Sequence, residues 1–186
     1  MKLNIHILSH PLIQNLSNIT SNSSYSYNIV NQYFKYLGLF IIYETIRTWT
    51  KIHKLTIKTT KHKKDSIIID PKESYTIIFN NLNYVNMFQE IQSILPKLKL
   101  KLVEQNDNNN QKQLKFFQDT KQKILIVHYQ MDTSYIKYII NNLHNIYSFK
   151  LEQIRIACVE CKTSQLIQLG ELYSNLTIYT TNIIDK

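Results

Sequence analysis

The chain has 186 residues, 44% of them hydrophobic and 19% charged, which excludes wholesale disorder and supplies enough apolar mass for one well-buried domain over residues 1–186. Setting 22 basic against 13 acidic residues leaves a net charge of +9, a balance that favours polyanions, although no arginine-rich helix or RNA-binding motif accompanies it. The longest apolar stretch, Leu37 to Tyr43, is too short to span a bilayer and the N-terminus lacks the basic-then-apolar form of a signal peptide, so a membrane-free protein made where it works is expected.

In chain order, the first region up to about Tyr27 is rich in Ser and Asn and reads as irregular apart from Leu3 to Leu8. From Tyr27 to Trp49 the spacing of Val30, Phe34, Leu37, Ile41, Tyr43 and Ile46 predicts one long packing helix. Leu55 to Thr59 and Ser66 to Asp70 flank the basic run Lys61-His62-Lys63-Lys64, which predicts a β-hairpin with the charge on its turn. Tyr75 to Phe79 reads as a strand and Tyr84 to Leu95 as a helix stopped by Pro96. In Leu98 to Val103, leucines alternate with lysines as in a half-covered strand. The Asn-rich Glu104 to Gln113 reads as a loop.

The segment Lys123 to Asn145 carries the most information. Ile124-Leu125-Ile126-Val127 is a buried strand, and Ile136, Ile139, Ile140 and Leu143 follow at helical spacing, with Asp132, Thr133 and Ser134 as candidate caps between them. Such a strand-to-helix turn holds anions on backbone amides when glycines let a phosphate approach. This turn has none; Met131 and Tyr135 supply bulk instead. Ile154 to Val159, Thr163 to Tyr173 and Leu176 to Thr180 complete the pattern as strand, helix and strand, so a largely parallel sheet with helices on both faces is expected. The 2 cysteines, Cys158 and Cys161, lack the further ligands of a zinc site and read as ordinary buried thiols. His128, at a strand end, invites a catalytic or metal role, yet a lone His is more often structural.

His10-Pro11-Leu12, then Gly38 followed by Tyr43-Glu44, the spacing of the later strands, and the ending from Glu171 through Tyr179-Thr180 to Asp185 together resemble uracil phosphoribosyltransferase over nearly the whole chain. The resemblance implies an α/β, phosphoribosyltransferase-like fold: a mostly parallel sheet flanked by helices, with an N-terminal long helix and β-hairpin. It also implies transfer of ribose 5-phosphate from phosphoribosyl pyrophosphate to uracil with magnesium, and association as a homodimer. Chemistry of this kind rests on positioning and charge neutralisation.

The departures from the family pattern fall on the groups that hold phosphate. Where the family has Asp, a spacer and Ala-Thr-Gly-Gly-Ser, this chain has His128, Tyr129-Gln130-Met131 and Asp132-Thr133-Ser134-Tyr135-Ile136, so only Thr133 remains. Where the family places an Arg-bearing pyrophosphate loop, this chain reads Asn81-Leu82-Asn83-Tyr84, with Leu82 at the Arg position and neither charge nor donor on it. The counterpart of the family's mobile loop, Glu104 to Gln118, has Lys112 and Lys115 but no Arg. The sequence runs to Lys186, and the family's uracil-contacting segment after the last strand is expected to be missing.

Each lost donor is worth about 3 kcal/mol, roughly two powers of ten in rate. The expectation is therefore a degenerate homologue. His128 to Tyr135 form its vestigial phosphate loop and Asn81 to Tyr84 its vestigial pyrophosphate loop, with no catalytic residue, no metal ligand and no cofactor. One alternative is an active enzyme making UMP, with Mg2+ as its only cofactor, which the preserved periodic core favours. A second is a basic nucleic-acid-binding or regulatory module using the Lys61 to Lys64 turn and exposed tyrosines. The 13 Tyr, the abundance of Asn, Ile and Lys and the 2 Gly suit AT-rich codons. With the resemblance, they point to the plastid stroma, the cytoplasm being the alternative.

Overall fold

The computed structural model describes residues 2–22, 25–60, 62–95, 97–104 and 122–185. Its β-branched runs form six parallel strands in the order β1-β8-β7-β6-β4-β5. These are β1 (Asn4–Ile7), β4 (Tyr75–Phe79), β5 (Leu98–Leu102), β6 (Lys123–Gln130), β7 (Ile154–Lys162) and β8 (Thr177–Ile184). An antiparallel hairpin, β2 (Ile52–Lys58) with β3 (Lys63–Ile69), stands apart from the sheet.

Strand β6 shows why the sheet sits in the middle: its alternate residues serve two separate cores. Ile124 and Ile126 pack against Ile136, Ile139, Ile140 and Leu143 of α4 (Thr133–Tyr147), with Leu166 and Leu169 of α5 (Thr163–Leu172) in the same cluster. Leu125 and Val127 face the other way, toward Leu37, Ile41 and Ile42 of α2 (Tyr27–Arg47). A run apolar on every residue is what a strand covered on both faces requires. The α/β fold class, the helices on both faces, the long helix and the hairpin therefore stand as expected.

Some details differ from the sequence reading. The region before Tyr27 is not irregular: Pro11–Ser21 forms α1, capped by His10, whose Nδ1 accepts the Leu12 N–H at 3.2 Å, with Pro11 at the first helical position. Ile13 and Leu16 are buried, and the Gln14 amide donates to the Leu8 carbonyl at 2.9 Å and the Thr181 carbonyl at 3.0 Å. The abundance of Ser and Asn hid this helix, because its buried stripe is only a few residues wide. The span Tyr84 to Leu95 is not one helix but a 3-10 segment, Leu82–Phe88, followed by α3 (Gln89–Ile94). Asn81 starts it, its side chain accepting the Asn83 N–H at 2.9 Å.

Strands β7 and β8 run past Val159 and Thr180 to Lys162 and Ile184. Lys63 and Lys64 lie in β3 rather than in the hairpin turn. Lys61, Pro96 and nearly all of the expected loop Glu104 to Gln118, including Lys112 and Lys115, lie outside the described residues.

Candidate functional site

Because every strand of the sheet is parallel, all their C-terminal ends emerge on one side, where open α/β sheets bind ligands. The two segments expected to be vestigial phosphate and pyrophosphate loops meet there. His128, Tyr129 and Gln130 close β6, Met131 and Asp132 make the turn, and Thr133, Ser134 and Tyr135 open α4. On the neighbouring strand β4, Asn80 and Asn81 lead into the 3-10 segment carrying Leu82, Asn83 and Tyr84.

The helix N-terminus that would face an anion is already occupied by the chain itself. Asp132 is the N-cap of α4, and its Oδ1 accepts from Ser134 N at 3.0 Å, Tyr135 N at 3.2 Å and Ser134 Oγ at 2.6 Å. Burial alone would raise this carboxyl; the Ser134 hydroxyl and the amides of Tyr135 and Ser134 outweigh it and hold it below the usual carboxylate range. An internal carboxylate on these donors takes the place a ligand oxygen would need. Met131 is buried beneath the turn and pinned there, its N–H donating to the Glu160 carbonyl at 2.9 Å and its carbonyl accepting from Gln165 Nε2 at 2.7 Å.

Behind the cap, His128 and Tyr135 pack edge to face with ring centroids 4.9 Å apart. Burial lowers the His128 pKa to about 4 against a small upward pull from Asp132, so the imidazole is neutral at pH 7. Burial likewise raises the Tyr135 phenol. His128 Nε2, Thr133 Oγ1, Tyr135 OH and Asn80 Oδ1 are all buried with no hydrogen-bond partner among the described residues. All of them stand in or beside the two loops, a concentration of unsatisfied polar atoms that a core built only for stability avoids.

The loops touch through aromatic rings. Tyr84 and Tyr129 stack with centroids 6.3 Å apart at 26°, and Phe34 of α2 closes the group at 5.5 Å from Tyr129 and 6.5 Å from Tyr84. Burial raises both phenols, and the Tyr129 hydroxyl lies 3.4 Å from Thr20 Oγ1 of α1. Sequence reading placed Tyr84 and Tyr129 in separate loops; only their contact makes them one cluster, and Phe34 and Thr20 were not foreseen in it. Leu82 is exposed and offers no charge.

Beside the turn lies a cavity of about 300 Å³ lined by Gln130, Glu160, Cys161, Lys162 and Gln165 among others. Cys158 and Cys161 are both free and buried. They interact: the hydrogen bond from Cys158 lowers the Cys161 thiol to about 7, and the same bond and burial push Cys158 up. Among the described residues, no donor set for a resident divalent cation is assembled. Asp132 is committed to its own helix, and the described residues contain no group of three His, Cys, Asp or Glu side chains that could hold one. No helix among the described residues is long and apolar enough to cross a membrane.

No protein-family model matches the chain. In overall shape it is similar to the AQ2163 protein from Aquifex aeolicus, with a TM-score of 0.74 over 98% of this chain and 88% of that one, at 14% sequence identity, which speaks for the fold alone. Curated relatives are much nearer in sequence. The uracil phosphoribosyltransferase homologue of Pyropia yezoensis is 34% identical over 100% of this chain and 92% of its own length. That of Porphyra purpurea is 30% identical over 98% and 89%. Identity of this extent along both chains, on an α/β parallel-sheet fold, means that this chain belongs to the family of uracil phosphoribosyltransferase homologues.

Proposed function

We propose that this protein is a uracil phosphoribosyltransferase homologue that no longer carries out ordinary phosphoribosyl transfer. The observation that supports the reading is the Asp132 carboxylate seated on the first amides of α4, at 3.0 Å from Ser134 N and 3.2 Å from Tyr135 N. A phosphate arriving there meets a fixed negative charge where it needs free donors. The Tyr84–Tyr129–Phe34 cluster adds bulk between the two loops, and Leu82 adds no counter-charge. With several phosphate-holding groups replaced together, at about two powers of ten in rate each, turnover falls below any useful level.

The chain then needs no cofactor of its own, magnesium entering only if transfer is retained, and the small-molecule substrate of its relatives is not carried over to it. Exposed Tyr36 and Tyr43 on α2, with an apolar groove of about 430 Å³ beside Tyr43, support a homodimer through that helix face. A codon-biased composition and relatives from Pyropia yezoensis and Porphyra purpurea support a place in the plastid stroma.

The deciding experiment incubates purified protein with uracil, labelled phosphoribosyl pyrophosphate and magnesium. Label stays out of UMP and equilibrium dialysis shows no retained phosphoribosyl pyrophosphate. UMP formation well above a control preparation rejects the proposal in favour of an active enzyme. Sedimentation in the same buffer tests the dimer, and fractionation of the source cells tests the compartment.

A further inference from the structure

A second cavity, of about 610 Å³, opens at the other end of the sheet, between β1, the C-terminal turn of α2 and the first residues of β7 and β8. It has no part in the loops described above. Its lining includes Lys2, Arg47 and Arg155 against Glu44. Glu44 pairs with Arg47 at 3.3 Å, while Lys2 and Arg155 have no carboxylate partner among the described residues.

Arg155 is the key group. It is partly buried, 4.6 Å from the centroid of the Trp49 ring. One nitrogen, Nη1, does all of its structural bonding: it donates to the Thr45 carbonyl at the end of α2, to Thr48 Oγ1 at 3.2 Å and to the Tyr179 hydroxyl at 3.3 Å. Capping a helix end explains that nitrogen and no more. Nε and Nη2 bond to no described residue, although they form the other edge of a rigid fork suited to two oxygens of one anion. Neither nitrogen is buried, so both stay open in the cavity, where the oxygens of an anion can replace water.

The neighbouring wall is aromatic. His6 of β1, exposed and lining the same cavity, stacks on Tyr179 with centroids 4.6 Å apart at 17°. We propose that this cavity is a binding site for a small phosphate-bearing ligand, its oxygens held by the unused edge of Arg155 and by Lys2, with the His6–Tyr179 stack as a platform for a flat ring attached to the phosphate. The two uncompensated cations match the charge of a phosphate dianion. The site stands on residues separate from those behind the proposed loss of transfer, so either holds without the other.

Trp49 is the only tryptophan in the chain and lies against Arg155, so its fluorescence reports occupancy. The full-length protein is titrated at low salt with phenyl phosphate, inorganic phosphate and phenol, with phosphorus-31 line broadening as a second readout. Phenyl phosphate binds saturably and more tightly than inorganic phosphate, phenol does not bind, and added salt weakens both phosphates. Arg155→Gln weakens both by at least about tenfold. The exposed-residue variant Lys2→Gln weakens both with the fold untouched, and His6→Ala removes only the preference for the ring. The surface variant Ile167→Ser, outside the lining of this cavity, leaves phosphate binding unchanged. Absence of saturable broadening up to about 10 mM, or binding that Lys2→Gln and a folded Arg155→Gln leave unchanged, overturns the proposal.

Discussion

Asp132 accepts the backbone N–H of Tyr135 at 3.2 Å, and with that bond the chain caps the first turn of α4 with its own carboxylate. The same carboxylate caps α4, so under the proposed function the group that bars phosphate also stabilises that helix.

Asp132→Ala should therefore lower stability by about 1 kcal/mol through loss of the cap. The carboxyl is depressed in the folded state, so its contribution is complete above the ordinary Asp range near pH 4 and fades as pH falls through the folded value. Urea denaturation at pH 7 and pH 3 checks this: the difference between wild type and Asp132→Ala should be present at the first and reduced at the second. Equal stability at pH 7 would show that the cap carries no weight.

His128 is 1% exposed and has a pKa of about 4, against about 6.5 for an unfolded histidine. The unfolded chain takes up this proton first as pH falls, so stability is full above about pH 6.5 and is lost progressively down to pH 4, by at most about 3 kcal/mol. His128→Phe removes that dependence. Thermal melts across this range should show a slope for the wild type that is flatter in the variant; identical slopes would place the acid sensitivity elsewhere.

Gly38 is where α2 crosses the 3-10 segment. A Cβ there would stand 2.6 Å from Met87 Cα and closer still to the Met87 carbonyl, and backbone cannot yield as a side-chain tip can. Gly38→Ala should cost about 3 kcal/mol despite the better helix propensity of alanine. The second glycine is a control: at Gly170 the nearest atom is a Leu3 side-chain carbon at 3.4 Å, so Gly170→Ala should be neutral or stabilising. Chemical denaturation of the two variants gives the comparison, and a tolerant Gly38→Ala would contradict the close crossing.

Tyr84 and Tyr129 hold the two loops together. A double-mutant cycle with Tyr84→Leu and Tyr129→Leu should give a coupling energy of about 0.5–1.5 kcal/mol, the range for aromatic pairs. Additive effects would mean that the rings merely lie near each other.

Periodicity made the scaffold legible. The unbroken, β-branched apolar run Ile124 to Val127 reads as a strand covered twice, and the spacing from Ile136 to Leu143 as an amphipathic helix. In the turn between them, Asp132, Thr133 and Ser134 read as candidate caps, and Asp132 is the N-cap of α4. Local sequence fixes such features because they depend on residues within one or two turns of each other.

Three-dimensional packing decided the rest. Helix α1 depends on Gln14 reaching the Thr181 carbonyl, a contact 167 positions away along the chain. The aromatic cluster needs β4 and β6 side by side before Tyr84 can meet Tyr129, and Phe34 arrives from a helix on the sheet's face. No sequence motif singles out Arg155; the packing of α2 against β7 sets it beside Trp49 with Nε and Nη2 unbonded to any described residue. Burial and charge balance are sums over neighbours distant in the chain, so residue order specifies the elements while their packing specifies which side chains end up sharing a site.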